Sequence, residues 1–132
     1  MAFRLTTFRY LSPPKRGQGL RVGTTRRPPR GTRERDWQTE GYFDIWFPLL
    51  APSAALLART EIVTKADYRQ FCERYEREIM KRSEARRALD LLAAIAARTP
   101  ISIGCFRADE SFCHRTHLRK LIERRARELN LL

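Results

Sequence analysis

Four short stretches of the chain are rich in apolar, β-branched or aromatic residues, and in the first two of them apolar and polar positions alternate, so all four are predicted to be β-strands. The four stretches are residues 2–11, 19–25, 42–50 and 101–106. The first ends before Pro13 and Pro14, which have no amide hydrogen to donate, and proline and glycine also separate it from the second. The stretch 42–50 is the most apolar, and we interpret it as a buried strand, although a run this short also fits a helix.

A different period, with apolar residues three and four positions apart, predicts helices between and after these strands. They cover a short helix capped by Ser53, then residues 65–82, 83–98 and 113–129. Thr64 and Asp67 form an approximate capping box before the second of them. Cys72 belongs to the apolar stripe of that helix, so we expect it to be a buried core residue.

The order of these elements favours an α/β fold, with a partly parallel sheet flanked by helices. At 132 residues the chain fits one small domain with a real core, covering residues 1–132. Residues 26–40 have many arginines and no apolar periodicity, which predicts a loop. Two interpretations of this loop stay open: it binds anions, or it is a solvated connection.

Composition adds a strong positive charge to this picture. Lysine and arginine number 27 against 15 acidic residues, which gives a formal charge of +12. Such a charge favours an anionic small molecule or nucleic acid as partner. Only four of the 27 basic residues are lysine, and alanine is frequent, a pairing that GC-biased codon usage also produces. The sequence leaves that alternative open.

Cysteine usage and hydropathy bear on the compartment. The three cysteines are an odd number in a sequence without a secretory signal, so a disulfide framework is not expected. No apolar run approaches the roughly 20 residues that span a bilayer. We therefore expect a cytoplasmic protein with no membrane partner.

Candidate chemistry concentrates in residues 100–122. Cys105 ends a predicted strand, and Cys113 lies where the last helix begins. Ligands of α/β proteins bind at the carboxyl ends of strands, and a helix N-terminus favours a thiolate and attracts anions. His114 and Arg115 would add to that positive field. Cys105, Cys113 and His114 are therefore the candidate catalytic residues, with Arg107 and Arg115 as candidate ligand-binding residues.

Two other chemistries fit the spacing less well. Cys113 and His117 share a helix face and Cys105 offers a third zinc ligand, but there is no convincing fourth, so no metal is predicted. Cys113 and Arg119 have the spacing of the phosphate loop of cysteine-dependent phosphatases, but no glycine lies between them to let backbone amides wrap a phosphate. Asp109 and Glu110 are the nearest general-base candidates, and we expect both to be exposed turn residues.

Several short motifs, in order from about residue 8 to 122, resemble the domain of unknown function 488 family, the YeaO-like proteins. The similar pieces are Gly19-Leu20-Arg21-Val22, Pro29-Arg30-Gly31, Ala51-Pro52-Ser53, Tyr68-Arg69-Gln70-Phe71, Arg74-Tyr75, Glu78, Cys105 and Cys113-His114-Arg115. Residues 24–28 and 37–46 depart from the family pattern. The resemblance implies a small single-domain cytoplasmic α/β protein, mostly bacterial or archaeal, and it implies no activity.

Together these observations predict a site for an anionic or phosphorylated small ligand. Guanidinium groups of Arg21 and Arg30 would join the cluster around Cys105, with Arg74 and Tyr75 at its rim. Whether the protein is an enzyme, which cofactor it uses and how it assembles are not predicted.

Two alternatives stay open. One is a nucleic-acid-binding module that uses residues 15–35, with Tyr10 and Trp37 stacking on bases. The other is a purely structural partner protein whose arginines serve only to keep its surface hydrated.

Overall fold

A computed structural model describes residues 3–59 and 61–132 of the chain. The strands are β1 (Leu5–Arg9), β2 (Leu20–Gly23), β3 (Ile45–Trp46) and β4 (Ile101–Cys105). The helices are α1 (Ala54–Arg59), α2 (Lys65–Lys81), α3 (Ser83–Arg98) and α4 (His114–Glu128). Single 3-10 turns lie at Glu34–Asp36, Pro48–Leu50 and Glu110–Phe112. The predicted α/β fold class is confirmed.

The sheet has the strand order β1-β4-β2-β3, and all pairings among the described strands are parallel, where the sequence predicted a partly parallel sheet. The last strand of the sequence, β4, is therefore inserted between β1 and β2, and all five of its residues are buried. The carboxyl ends of these parallel strands lie at one edge of the sheet, where Arg9 is beside Cys105 and Gly23 is beside Gly104.

Two apolar clusters cover the two faces of this sheet. On one face, apolar residues of α2, α3 and α4 form the main core together with Leu5, Val22, Ile101 and Ile103 of the sheet. A smaller aromatic cluster of Phe8, Tyr10 and Phe43 packs with Trp37, Tyr42 and Trp46. Leu5 and Phe8 are three positions apart on β1, so they point to opposite faces. Burial on both faces of the sheet explains why the central strand β4 shows little polar alternation.

Local sequence determines where the helices begin. Thr64 Oγ1 accepts a hydrogen bond from the amide of Asp67 (3.1 Å), and the Asp67 carboxylate accepts one from the amide of Thr64 (2.9 Å), which confirms the capping box. Ser53 Oγ accepts from the amide of Leu56 (3.0 Å) before α1. Cys72 is buried in the main core, as predicted. Among the described residues, no helix is long and apolar enough to cross a membrane.

The prediction of one long strand over residues 42–50 is wrong. Only Ile45–Trp46 pair with the sheet, at its edge, and Ile45 is 47% exposed. Pro48 has no amide hydrogen to donate to a ladder, and a 3-10 turn starts at that residue. The strand predicted over residues 2–11 is shorter in the structure, where it covers Leu5–Arg9. Ala2 lies outside the described residues.

Candidate functional site

Cys105 and Cys113 meet at the edge where the parallel strands end. Cys105 is the last residue of β4, and Cys113 is the N-cap of α4. Tyr68 Oη donates to the carbonyl of Cys113 (2.7 Å), which ties the start of α4 to α2. Arg107 Nη1 donates to the carbonyl of Phe112 (3.1 Å) and closes the loop between the cysteines. The two Sγ atoms lie 2.7 Å apart, and both thiols are free and buried.

Arg115 lies directly against this sulphur pair. Its side chain is buried, and Nη1 donates to Cys105 Sγ at 2.9 Å and approaches Cys113 Sγ at 3.5 Å. The same nitrogen donates to the carbonyl of Arg107 at 2.6 Å. Nη2 is 3.6 Å from Oε1 of Glu110, whose side chain is 54% exposed and therefore weakly paired. The sulphur pair is the buried partner of this guanidinium.

These contacts separate the acidities of the two thiols. The Cys113 thiol donates a hydrogen bond to Cys105 Sγ, and the charged Arg115 lies beside Cys105. Both interactions lower the pKa of Cys105, to about 6, although burial of the thiol acts in the opposite direction. The hydrogen bond to Cys105 and burial raise the pKa of Cys113. Near neutral pH the pair therefore shares one negative charge, and the shorter contact of Arg115 with Cys105 Sγ (2.9 Å, against 3.5 Å to Cys113 Sγ) favours Cys105 as its position. The sequence placed the activated thiol at the helix start, whereas these contacts favour the strand end.

His114 is fixed in one tautomer by Thr24. Its Nε2 is 3.2 Å from the carbonyl oxygen of Thr24 and 3.0 Å from Oγ1 of the same residue. A carbonyl only accepts hydrogen bonds, so Nε2 carries the proton and Nδ1 keeps its lone pair, 4.0 Å from Cys113 Sγ. Burial lowers the pKa of His114 to about 4. The imidazole is thus neutral near pH 7 and does not add to the positive field, contrary to the expectation from sequence.

The same three residues are spaced closely enough for a metal ion. One ligand atom each of Cys105, Cys113 and His114 lies within 4.8 Å of the others. Tetrahedral zinc with sulphur ligands at about 2.3 Å would hold the two sulphurs about 3.7 Å apart. Arg115 also brings positive charge to both sulphurs. His117, considered as a zinc ligand from the sequence, instead contacts Glu76 Oε1 at 3.2 Å.

A cavity of about 740 Å³ opens beside the sulphur pair. Its lining includes both cysteines and His114. Four arginines, all exposed, contribute to it: Arg26, Arg27, Arg30 and Arg107. The rest of the wall is largely apolar and includes Pro28, Tyr42, Pro52, Leu57, Ile62, Phe71, Phe106 and Phe112. The cavity thus combines a sulphur pair, several cations and an apolar surface.

Three residues that the sequence assigned to the site lie elsewhere. Arg21 is buried, with its guanidinium 4.3 Å from the centroid of the Phe8 ring, and it donates to the carbonyl of Ser12 (2.9 Å). Tyr75 is fully buried in the core, where its hydroxyl donates to a carbonyl of the Pro48–Leu50 turn (2.6 Å). Arg74 is half-buried on α2, outside the residues that line the cavity.

Sequence analysis missed other members of the cavity wall. Arg26 and Arg27 follow the carboxyl end of β2, a position that pointed to the site, but they were counted only as part of a basic loop. Tyr42 and Phe106 carried no sequence signal beyond being aromatic. Asp109 and Glu110 are exposed, as predicted.

Comparison with known families and structures gives one kind of match. A family model, DUF488-N3a, described as the active DUF488-N3 subclade, matches residues 5–126. This range includes all four strands and the whole site. No curated protein and no solved structure matches the chain.

Proposed function

The chain belongs to the DUF488 family, and on that premise we propose that its cavity binds an anionic small ligand beside a nucleophilic thiolate on Cys105. One observation carries the proposal: the sulphur pair, backed by the buried guanidinium of Arg115, lines a cavity that four exposed arginines also line. The word "active" in the description of the matched subclade agrees with a working site but names no substrate.

Ligand binding is assigned to the exposed arginines. Arg26, Arg27 and Arg30 come from the loop after β2, and Arg107 comes from the loop after β4. Guanidinium groups form paired hydrogen bonds with phosphate or carboxylate oxygens. The formal charge of +12 also raises the local concentration of anions around the protein. The buried Arg115 is left to stabilise the thiolate.

The sulphur pair supplies the chemistry of a substitution step. The Cys105 thiolate attacks an electrophilic centre of the bound ligand, and the new sulphur bond forms as the bond to the leaving group breaks. The leaving group departs with the bonding electron pair and takes a proton from the solvent in the cavity, while the Cys113 thiol keeps its own proton. Arg115, whose Nη1 is 2.9 Å from Cys105 Sγ, stabilises the thiolate before it attacks.

Residue-resolved alkylation tests this proposal. We expect iodoacetamide to modify Cys105 several-fold faster than free cysteine at pH 6.5, because a free thiol is only about 1% ionised there. Cys72 is the internal control, because burial raises the pKa of its thiol. Added phosphate should slow the reaction at Cys105 alone. A Cys105 rate no higher than that of free cysteine would contradict the nucleophile, and no effect of any anion would contradict the ligand site.

The nucleic-acid alternative has less support from the site. Tyr10 is 2% exposed, and the Trp37 ring packs 5.2 Å from that of Phe43, so both aromatic residues are engaged in the aromatic cluster. The alternative then depends on exposed arginines alone. Retention on DNA or RNA that weakens steeply with salt would support it, and absence of retention at moderate ionic strength would remove it.

A further inference from the structure

We infer that the anionic ligand is a nucleoside phosphate, with its base against Phe106 and its phosphate among the arginines of the cavity. This inference rests on the proposed function, because it uses the same cavity and the same cations. What it adds is an assignment for the apolar and aromatic part of the wall, which anion binding alone does not require.

Phe106 is the first observation. It follows Cys105 directly, lines the cavity and is 47% exposed, although it is a large apolar side chain. The Tyr10 ring meets it edge to face at 4.6 Å, and the Tyr42 ring does so at 6.1 Å. These contacts fix the orientation of the ring while nearly half of its surface stays open. A fixed, open aromatic surface is what a planar base needs for stacking.

The size and lining of the cavity are the second observation. A volume of about 740 Å³ falls within the range of sites for small organic ligands, whereas a lone inorganic anion would fill little of it. Leu57, Ile62, Phe71 and Phe112 extend the apolar wall beyond Phe106. Removing that apolar wall from water would strengthen the binding of a ligand that has an apolar, planar part.

The third observation is that cations adjoin this wall. Arg107 is the next residue after Phe106, and Arg26, Arg27 and Arg30 line the same cavity from the loop after β2. A ligand that uses both surfaces has a planar aromatic part and a strongly anionic part within one small molecule. A nucleoside monophosphate has this composition, because its base stacks and its phosphate accepts forked hydrogen bonds.

Protection of Cys105 from iodoacetamide tests the inference on the full chain. The probes are adenosine monophosphate, cytidine monophosphate, ribose 5-phosphate and inorganic phosphate. We expect half-protection by both nucleotides at concentrations about tenfold lower than by ribose 5-phosphate, the fold-change that one stacked base supplies. Equal protection by ribose 5-phosphate would overturn the inference and leave the proposed function standing. No protection by any of the four would overturn both.

Substitution of Phe106 adds a second, independent arm. Phe106→Ala should raise the half-protecting nucleotide concentration about tenfold and leave that of ribose 5-phosphate unchanged, while Phe106→Tyr should retain the wild-type values. Leu91→Ala is the matched control, because Leu91 is 55% exposed on α3 and does not line the cavity. Equal effects of Phe106→Ala on both probes, or no effect on either, would contradict stacking on this ring.

Discussion

Replacing Arg115 by glutamine should raise the pKa of Cys105 by at most about three units, because the hydrogen bond from Cys113, the largest cause of the low pKa, remains. Nη1 of the buried guanidinium lies 2.9 Å from Cys105 Sγ, which puts the two charge centres about 4 Å apart. At an effective dielectric constant of about 20, their attraction is about 4 kcal/mol, and one pKa unit corresponds to about 1.4 kcal/mol. A pKa that starts at about 6 would therefore rise to no more than about 9.

This shift predicts two opposite effects on the alkylation rate. At this upper limit the thiolate fraction of Cys105 at pH 7 falls about 90-fold, but a more basic thiolate is about 20-fold more nucleophilic, so the variant reacts about fourfold more slowly. Above about pH 9 both forms are largely ionised, and the variant reacts faster. The two rate profiles should cross between about pH 7 and 8.5. An unfolded chain would give a similar crossing, so the comparison uses variant protein in which the buried Cys72 is still slow to react.

The assay is the iodoacetamide rate at Cys105 from pH 5 to 10, resolved by mass spectrometry. Arg119→Gln is the matched control, because Arg119 is a partly exposed residue of the same helix that pairs with Glu123 (3.6 Å). Arg115→Lys keeps the charge and should keep the midpoint low. If folded Arg115→Gln protein titrates within about half a unit of wild type, Arg115 is not what stabilises the thiolate.

Three further substitutions test the stability of the fold around the site. Burial lowers the pKa of His114 from 6.5 to about 4, so as the pH falls the unfolded state binds a proton before the folded state does. The free energy of unfolding should therefore be highest above pH 6.5 and decrease by about 3 kcal/mol toward pH 4. In urea unfolding, His114→Gln should show a smaller decrease over the same pH range. Tyr75→Phe leaves the buried carbonyl of Leu50 without its donor and should cost about 1–3 kcal/mol in the same assay. Gly104→Ala would place a methyl carbon 2.5 Å from the Phe8 ring and should cost about 1–3 kcal/mol, so an unchanged melting temperature would contradict the packing described.

Sequence patterns predicted elements where the deciding interactions are local. The capping box of Thr64 and Asp67 involves residues three apart, so sequence alone placed the start of α2. The stretch 42–50 failed for the opposite reason. Its apolar residues divide between a two-residue edge strand, the aromatic cluster and a turn, and only tertiary contacts decide that division.

The sequence also predicted the end of β4 and the start of α4, and these two boundaries identified Cys105 and Cys113 as candidate site residues. The contact between the two cysteines was not predictable, because it depends on two tertiary hydrogen bonds. Arg107 donates to the carbonyl of Phe112 in the loop between them, and Tyr68 donates to the carbonyl of Cys113. The aromatic wall was missed because Phe106 is recognisable as part of a site only from its exposure beside the cavity.

The feature that the sequence predicted least well is which arginines belong to the candidate site. The chain has 23 of them, the 27 basic residues less four lysines, and composition gave no means of choosing. Among the described residues two arginines are buried, Arg21 against an aromatic ring and Arg115 against the sulphur pair. A buried guanidinium is costly unless an anion compensates it, and Cys105 is the group placed to do so. GC-biased codon usage would account only for how often arginine occurs, and not for a buried guanidinium that contacts a pair of buried thiols.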